Sequence, residues 1–170
     1  MTDIKNKTVQ PTEKNKKKFD IKLILEIVVE AVVLCVLFSV FICTAHVTGQ
    51  SMEPTYSDGT FLIASRLSTP HVGDIVLARD DEFGVIVKRV IAEGGDTIEI
   101  QDGNVYLNRE RVDEPYVKYP DMSETMTEVT VPESEYFLAG DNRANSIDSR
   151  SGLGTITKDD IIGVVFFDIF

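Results

Sequence analysis

Gly84-Val85-Ile86-Val87-Lys88-Arg89-Val90-Ile91 is the stretch on which the fold turns. It opens on a glycine, and most of its side chains are β-branched, so it predicts a strand. In a strand alternate residues share a face. Ile86, Lys88 and Val90 then point one way, and Val87, Arg89 and Ile91 the other. Lys88 is thus flanked by β-branched groups on its own face. An ammonium buried there is costly, which lowers its pKa and favours the neutral amine. A neutral amine can accept a proton, as a general base must. The plainer alternative is a lysine snorkelling at a sheet margin.

More short runs of the same kind lie on both sides: 61–63, 74–78, 96–100, 104–107, 127–131, 136–139 and 161–167. Each is bounded by Gly, Asp, Asn, Ser or Pro. They predict a mainly β fold, an antiparallel, barrel-like sheet domain over 46–170. Residues 113–134, polar and holding three prolines, read as a hairpin or excursion on its rim.

Upstream the pattern changes. Residues 23–45 read LILEIVVEAVVLCVLFSVFICTA, with no charge from Ala31 to Ala45. Spanning a bilayer takes about 20 residues, which is met by starting at Leu23 with Glu26 and Glu30 at headgroup level. This predicts one transmembrane helix. A buried core helix is the competing reading, although the run has no polar stripe. A cleavable secretory signal is another, since Cys43-Thr44-Ala45 is a small-x-small site, although the preceding segment is long for one.

Residues 1–22 carry seven lysines against three acidic residues, a net +4; from His46 onward ten Lys/Arg face 23 Asp/Glu, a net −13. Lysines on one flank of the helix place 1–22 in the cytoplasm as a disordered tail and the β domain outside, at the cell membrane. A domain this acidic is a poor partner for nucleic acid. Two histidines and no Cys/His cluster make a zinc site a poor reading. Cys35 and Cys43, placed eight residues apart on one helix, would be roughly 12 Å apart, too far for a disulfide. That reading leaves the folded domain without cysteine.

Just past the helix comes Gly49-Gln50-Ser51-Met52-Glu53-Pro54-Thr55. Gly49 permits a tight turn and Pro54 stiffens the far side, the local shape a projecting nucleophile needs. Serine is common, and a surface serine is ordinarily just solvated. Ser51 needs a base, and His46 and His71 are poorly placed, one at the membrane boundary and one in a turn. Lys88 is the better candidate. A third cluster, Gly140-Asp141-Asn142-Arg143-Ala144-Asn145-Ser146-Ile147-Asp148-Ser149-Arg150, follows an apolar strand. It is denser in Asp, Asn, Arg and Ser than a solvated turn requires, and suggests a hydrogen-bonded scaffold around a buried charge.

Together these clusters resemble the bacterial type I signal peptidases, membrane-anchored serine–lysine proteases, over about Val47 to Ile162. Gly49-x-Ser51-Met52-x-Pro54-Thr55 resembles the nucleophile box, and Gly73-Asp74-Ile75-Val76 the strand box after it. Lys88-Arg89-Val90-Ile91 with Gly95-Asp96 resembles the general-base box, and Gly140–Arg150 the last. The resemblance implies Ser51 as nucleophile and Lys88 as base, with Ser146 hydrogen-bonding the lysine amine. It implies that Ser51 N–H serves as oxyanion donor and that Met52 lines the pocket for the small residue before the cut. Some relatives add a hydroxyl at the position of Gly49. Arg89 with Asp141, and Asp148 with Arg150, would be structural ion pairs. Substrates would be signal peptides of secretory preproteins, cut after Ala-x-Ala-like sites, by a monomer needing no cofactor or metal. Tyr56 and Ala92-Glu93-Gly94 depart from the common pattern away from the reacting atoms. The short region before the last box resembles compact Gram-positive members, and lysine at 88 speaks against the histidine-bearing type.

Two other readings stand beside this one. The first is a non-catalytic, membrane-anchored assembly factor on the same scaffold, whose relatives typically lack the serine or the lysine. The second is a self-cleaving serine–lysine regulator, a type usually soluble and fused to a DNA-binding domain.

Overall fold

The computed structural model describes residues 21–169. The expected tail, residues 1–22, therefore lies outside the described residues except for Ile21 and Lys22, which begin the helix. The chain divides into two compact units, one ending at Val36 and one beginning at Leu37.

Helix α1 runs Ile21–Phe41, 21 residues, and buries none of its side chains. At about 1.5 Å per residue it is roughly 31 Å long, the thickness of a bilayer's hydrocarbon core. It ends four residues earlier than Ala45. Ile42–His46 instead form strand β1, whose alternation of half-buried, buried and exposed residues suits β-branched Ile42 and Thr44. Pairing with β2 satisfies the backbone there, from Ile42 opposite Ser65 to His46 opposite Phe61. One consequence corrects the sequence reading. Cys43 is a core residue of the β unit, its thiol donating weakly to the carbonyls of Ala64 and Ile162 at 3.6 and 3.8 Å. Burial raises that thiol's pKa, the reverse of what a reactive cysteine needs.

The remaining strands are β2 (Phe61–Ser65), β3 (Ile75–Asp80), β4 (Gly84–Glu93), β5 (Thr97–Gln101), β6 (Asn104–Leu107), β7 (Glu110–Arg111), β8 (Met126–Thr130), β9 (Glu135–Ala139), β10 (Ile156–Thr157) and β11 (Ile161–Ile169). All pairings are antiparallel. A seven-stranded sheet has the order β1-β2-β11-β3-β4-β9-β10, and a four-stranded sheet the order β7-β6-β5-β8. Outside α1 the helical segments among the described residues are short 3-10 turns at 143–145 and 158–160.

Three apolar clusters hold these sheets. Alternation along β3 divides two of them: Ile75 and Leu77 pack with Met52, Tyr56 and Leu62, whereas Val76 and Ala78 pack with Val90, Leu138 and Val164. The third joins the small sheet (Ile98, Ile100, Val105) to the ends of β4 and β9 through Ile91, Ala92, Phe137 and Ala139. Each fully buried Leu or Ile contributes about 1.5–3 kcal/mol. Strand β4 is central to this arrangement. It pairs with β3 over 84–89 and with β9 over 89–93, across a register shift between Val90 and Ala92. Both of its faces are covered from Lys88 onward, so the lysine has little water to reach.

Candidate active site

The loop between β1 and β2 is closed at its stem, where Val47 N–H donates to Thr60 O and Gly59 N–H to Val47 O, both at 2.9 Å. Met52 and Tyr56 anchor it by burying their side chains in the core, with Tyr56 N–H donating to Met52 O at 2.9 Å. Gly49 enters this turn at φ +85°, a left-handed conformation that costs a side-chain-bearing residue about 1 kcal/mol or more. Its N–H is held by Asp58 Oδ1 at 2.8 Å.

This loop presents Ser51 to β4. Lys88 Nζ lies 2.8 Å from Ser51 Oγ, within hydrogen-bond reach. Only 6% of Lys88 is exposed. Burial is the largest influence on its pKa and lowers it; Arg150 pushes the same way, against Asp148 and Asp141. An ammonium here would donate to Ser51 Oγ, whereas the neutral amine can accept the hydroxyl proton instead.

Both groups open into a cleft of about 720 Å³, which Gly49 and Ser146 also line together with apolar Phe83, Ile86 and Ile147. Neither histidine is in it: His71 is exposed and lies 3.6 Å from Glu93, and His46 packs on Phe61. Among the described residues no group of His, Cys, Asp and Glu is arranged to hold a metal ion.

The third cluster supplies the scaffold. Asp141, fully buried, accepts a fork from Arg89 at 2.8 and 2.6 Å and the hydroxyl of Thr55. It thereby ties the far end of the Ser51 loop to the residue beside Lys88. Arg89 also donates to Gly73 O at 2.7 Å and stacks on Tyr116, 4.0 Å from the ring centre. Asp148, also fully buried, accepts Arg150 Nε and Nη2 at 2.7 and 2.8 Å and the Gly140 N–H at 2.9 Å. Burial alone would raise the Asp148 carboxyl, but the Arg150 guanidinium and the Gly140 N–H outweigh it and hold it below the usual range.

Two implied roles look different in three dimensions. Ser146 lines the cleft, yet its buried Oγ makes no hydrogen bond, so the bond to the lysine amine is not formed here. The Lys88 amine is directed at Ser51 instead. Met52, with no exposed surface, belongs to the core cluster rather than to the lining of the cleft. Other contributors escaped the sequence reading. Asn142 pins the Ser51 backbone, its N–H donating to Ser51 O at 2.9 Å and its amide to Gln50 O at 3.1 Å. Nothing in the local pattern of the loop distinguishes Asn142 from Asn145.

Comparison with known proteins identifies the family. The profile of the family described as "Signal peptidase, peptidase S26" matches residues 21–170. The chain is 36% identical over 165 residues to signal peptidase I U of Bacillus subtilis, covering 89% of this chain and 88% of the relative. It is 37% identical over 177 residues to signal peptidase I of Bacillus licheniformis, covering 92% and 91%. A crystal structure of a signal peptidase I from Enterococcus faecalis aligns with a TM-score of 0.52 and 28% identity, over 58% of this chain and 98% of that one.

Proposed function

The chain belongs to the signal peptidase family, peptidase S26, and from that premise we propose that it is a signal peptidase I working through Ser51 and Lys88. The observation that carries this reading is the 2.8 Å approach of a buried lysine amine to a serine hydroxyl inside a cleft. The neutral amine takes the Ser51 proton as Oγ attacks the scissile carbonyl carbon. Ser51 N–H donates to the oxyanion. The ammonium then returns the proton to the departing amine, leaving an ester between Ser51 and the signal peptide. Lys88 next removes a proton from water, which attacks the ester; the ammonium returns that proton to the departing Ser51 Oγ, and the peptide acid is released as its carboxylate. No metal or cofactor enters these steps.

The substrates of this reading are secretory preproteins with small residues one and three positions before the cut. Helix α1 is the membrane span, with the N-terminus cytoplasmic and the β unit on the outer side. Ser51 follows α1 by only ten residues, so anchored enzyme and anchored signal peptide meet at high effective concentration. The assembly-factor reading is weaker, because both reacting groups are present and in reach.

The test is cleavage of an Ala-x-Ala preprotein by the detergent-solubilised chain. Ser51→Ala and Lys88→Ala should each abolish processing, and the wild type should yield a serine ester with a poor substrate at low pH. Continued cleavage by Ser51→Ala overturns the assignment.

A further inference from the structure

Resting on the reading of Ser51 and Lys88 as the reacting pair, we propose that Glu114 and Glu124 are positioning residues for it. Both sit on the segment joining β7 to β8 of the small sheet, within the stretch whose sequence suggests a hairpin or excursion on the rim. Neither touches the cleft. They reach the site through two arginines that converge on Gly140.

The carbonyl of Gly140 accepts Arg143 Nε at 3.0 Å, and the rest of that guanidinium is held by Glu114 at 2.9 and 2.5 Å. The N–H of Gly140 donates to Asp148, which is gripped by Arg150, and Arg150 is paired in turn with Glu124. Each polar group of one glycine is thus fixed by a chain of charge that ends on the same segment. Gly140 matters because it backs the nucleophile. The space where a Cβ would stand is filled by Ser51 O and Ser146, at 2.5 Å and 2.7 Å from Ser51 O and Ser146 Cβ.

The pairs are buried enough to bind firmly. Side-chain exposure is 3% for Arg143 and 9% for Glu114, and 3% for Arg150 against 20% for Glu124. Removing either carboxylate leaves a buried guanidinium short of charge, which pulls the loop toward another arrangement. Further ties hold the segment in place. Tyr116 OH donates to Glu114 while its ring carries Arg89, Ala144 N–H donates to Tyr119 O at 3.3 Å, and Gly103 N–H donates to Glu124 O at 3.0 Å. The small sheet therefore reaches the nucleophile from behind through its β7–β8 segment. A segment that only filled surface would not need two carboxylates paired with arginines whose bonds lead to the same glycine.

The experiment uses the full chain in detergent with a preprotein bearing an Ala-x-Ala site, comparing Glu114→Gln, Glu124→Gln, the double variant and Ser51→Ala. The glutamines keep the shape and remove the charge. Each single variant should lower kcat by roughly ten- to hundredfold with KM within about twofold of wild type, as expected when reacting atoms are displaced without loss of substrate contacts. The double variant should lose less than the product of the two, because both act on one glycine. Rates are taken per folded molecule, measured by circular dichroism; Glu124, the more exposed of the two, still reports if Glu114→Gln folds poorly. Wild-type kcat in both glutamine variants, or a raised KM with kcat unchanged, overturns the proposal while an inactive Ser51→Ala leaves the Ser51 reading standing. An active Ser51→Ala would instead remove the reading beneath it.

Discussion

Gly140 stands so close behind Ser51 that a methyl group on its α-carbon would come 2.5 Å from the Ser51 carbonyl oxygen. The Ser146 side chain crowds the same point, but the Ser51 oxygen is backbone and cannot swing aside, so one of the two loops must move. Gly140→Ala should therefore destabilise the β unit by about 1–3 kcal/mol, the usual cost of overpacking. It should also lower kcat at least about a hundredfold by shifting Oγ from Nζ. Thermal unfolding and single-turnover cleavage of the same preparation check both.

Lys88 makes stability depend on pH in a definite direction. Its folded pKa lies below 10.5 chiefly because it is buried, whereas the unfolded chain returns it to the ordinary value. Between those two values the unfolded state holds more protons, so the penalty is full below the folded pKa and fades as pH rises toward 10.5. Lys88→Met, which fills the same space without charge, should melt higher than wild type at neutral pH. The difference should shrink steadily in alkaline buffer. Melting curves from pH 6 to 10.5 decide it, and a gap that widens with pH would contradict the burial argument.

Asp141 carries the reverse risk. It is fully buried against Arg89, and Asp141→Asn leaves the guanidinium without its counter-ion. The loss should be about 3–5 kcal/mol. Adding Arg89→Met should recover part of it, since the orphaned charge goes too. A double-mutant cycle by denaturant unfolding measures this coupling.

The β6–β7 hairpin offers a gain. Leu107 pairs with Glu110, so Asn108 and Arg109 form a two-residue turn with φ of +52° and +69°. Asn-Gly is the preferred pair for such a turn, and arginine is strained in its second place. Arg109→Gly should raise the melting temperature by about 2–4 °C. The contact with Glu128 is exposed and costs little to lose.

The local chemistry of this protein was easy to read, and its long-range pairing was not. The main strands stand where β-branched runs bounded by turn residues put them, because burial on both faces of β4 leaves a plain apolar signature around Lys88. The pairing of β11 with both β2 and β3 has no such signature. Strand β1 was hidden because Ile42–Ala45 is as apolar as the helix before it; only its partner Phe61–Ser65 distinguishes the two. Glu114 and Glu124 were invisible for another reason. In a chain with 28 acidic residues, two glutamates that face arginines look like any others.

Strand β1 has one more effect. The chain carries a small-x-small triplet, Cys43-Thr44-Ala45, just past helix α1. Here Ala45 and His46 are locked in a ladder opposite Leu62 and Phe61. A bond held in that way cannot lie along a cleft as an extended strand until the ladder opens. Strand pairing thus keeps the bond between Ala45 and His46 out of reach of any protease that must bind its substrate extended.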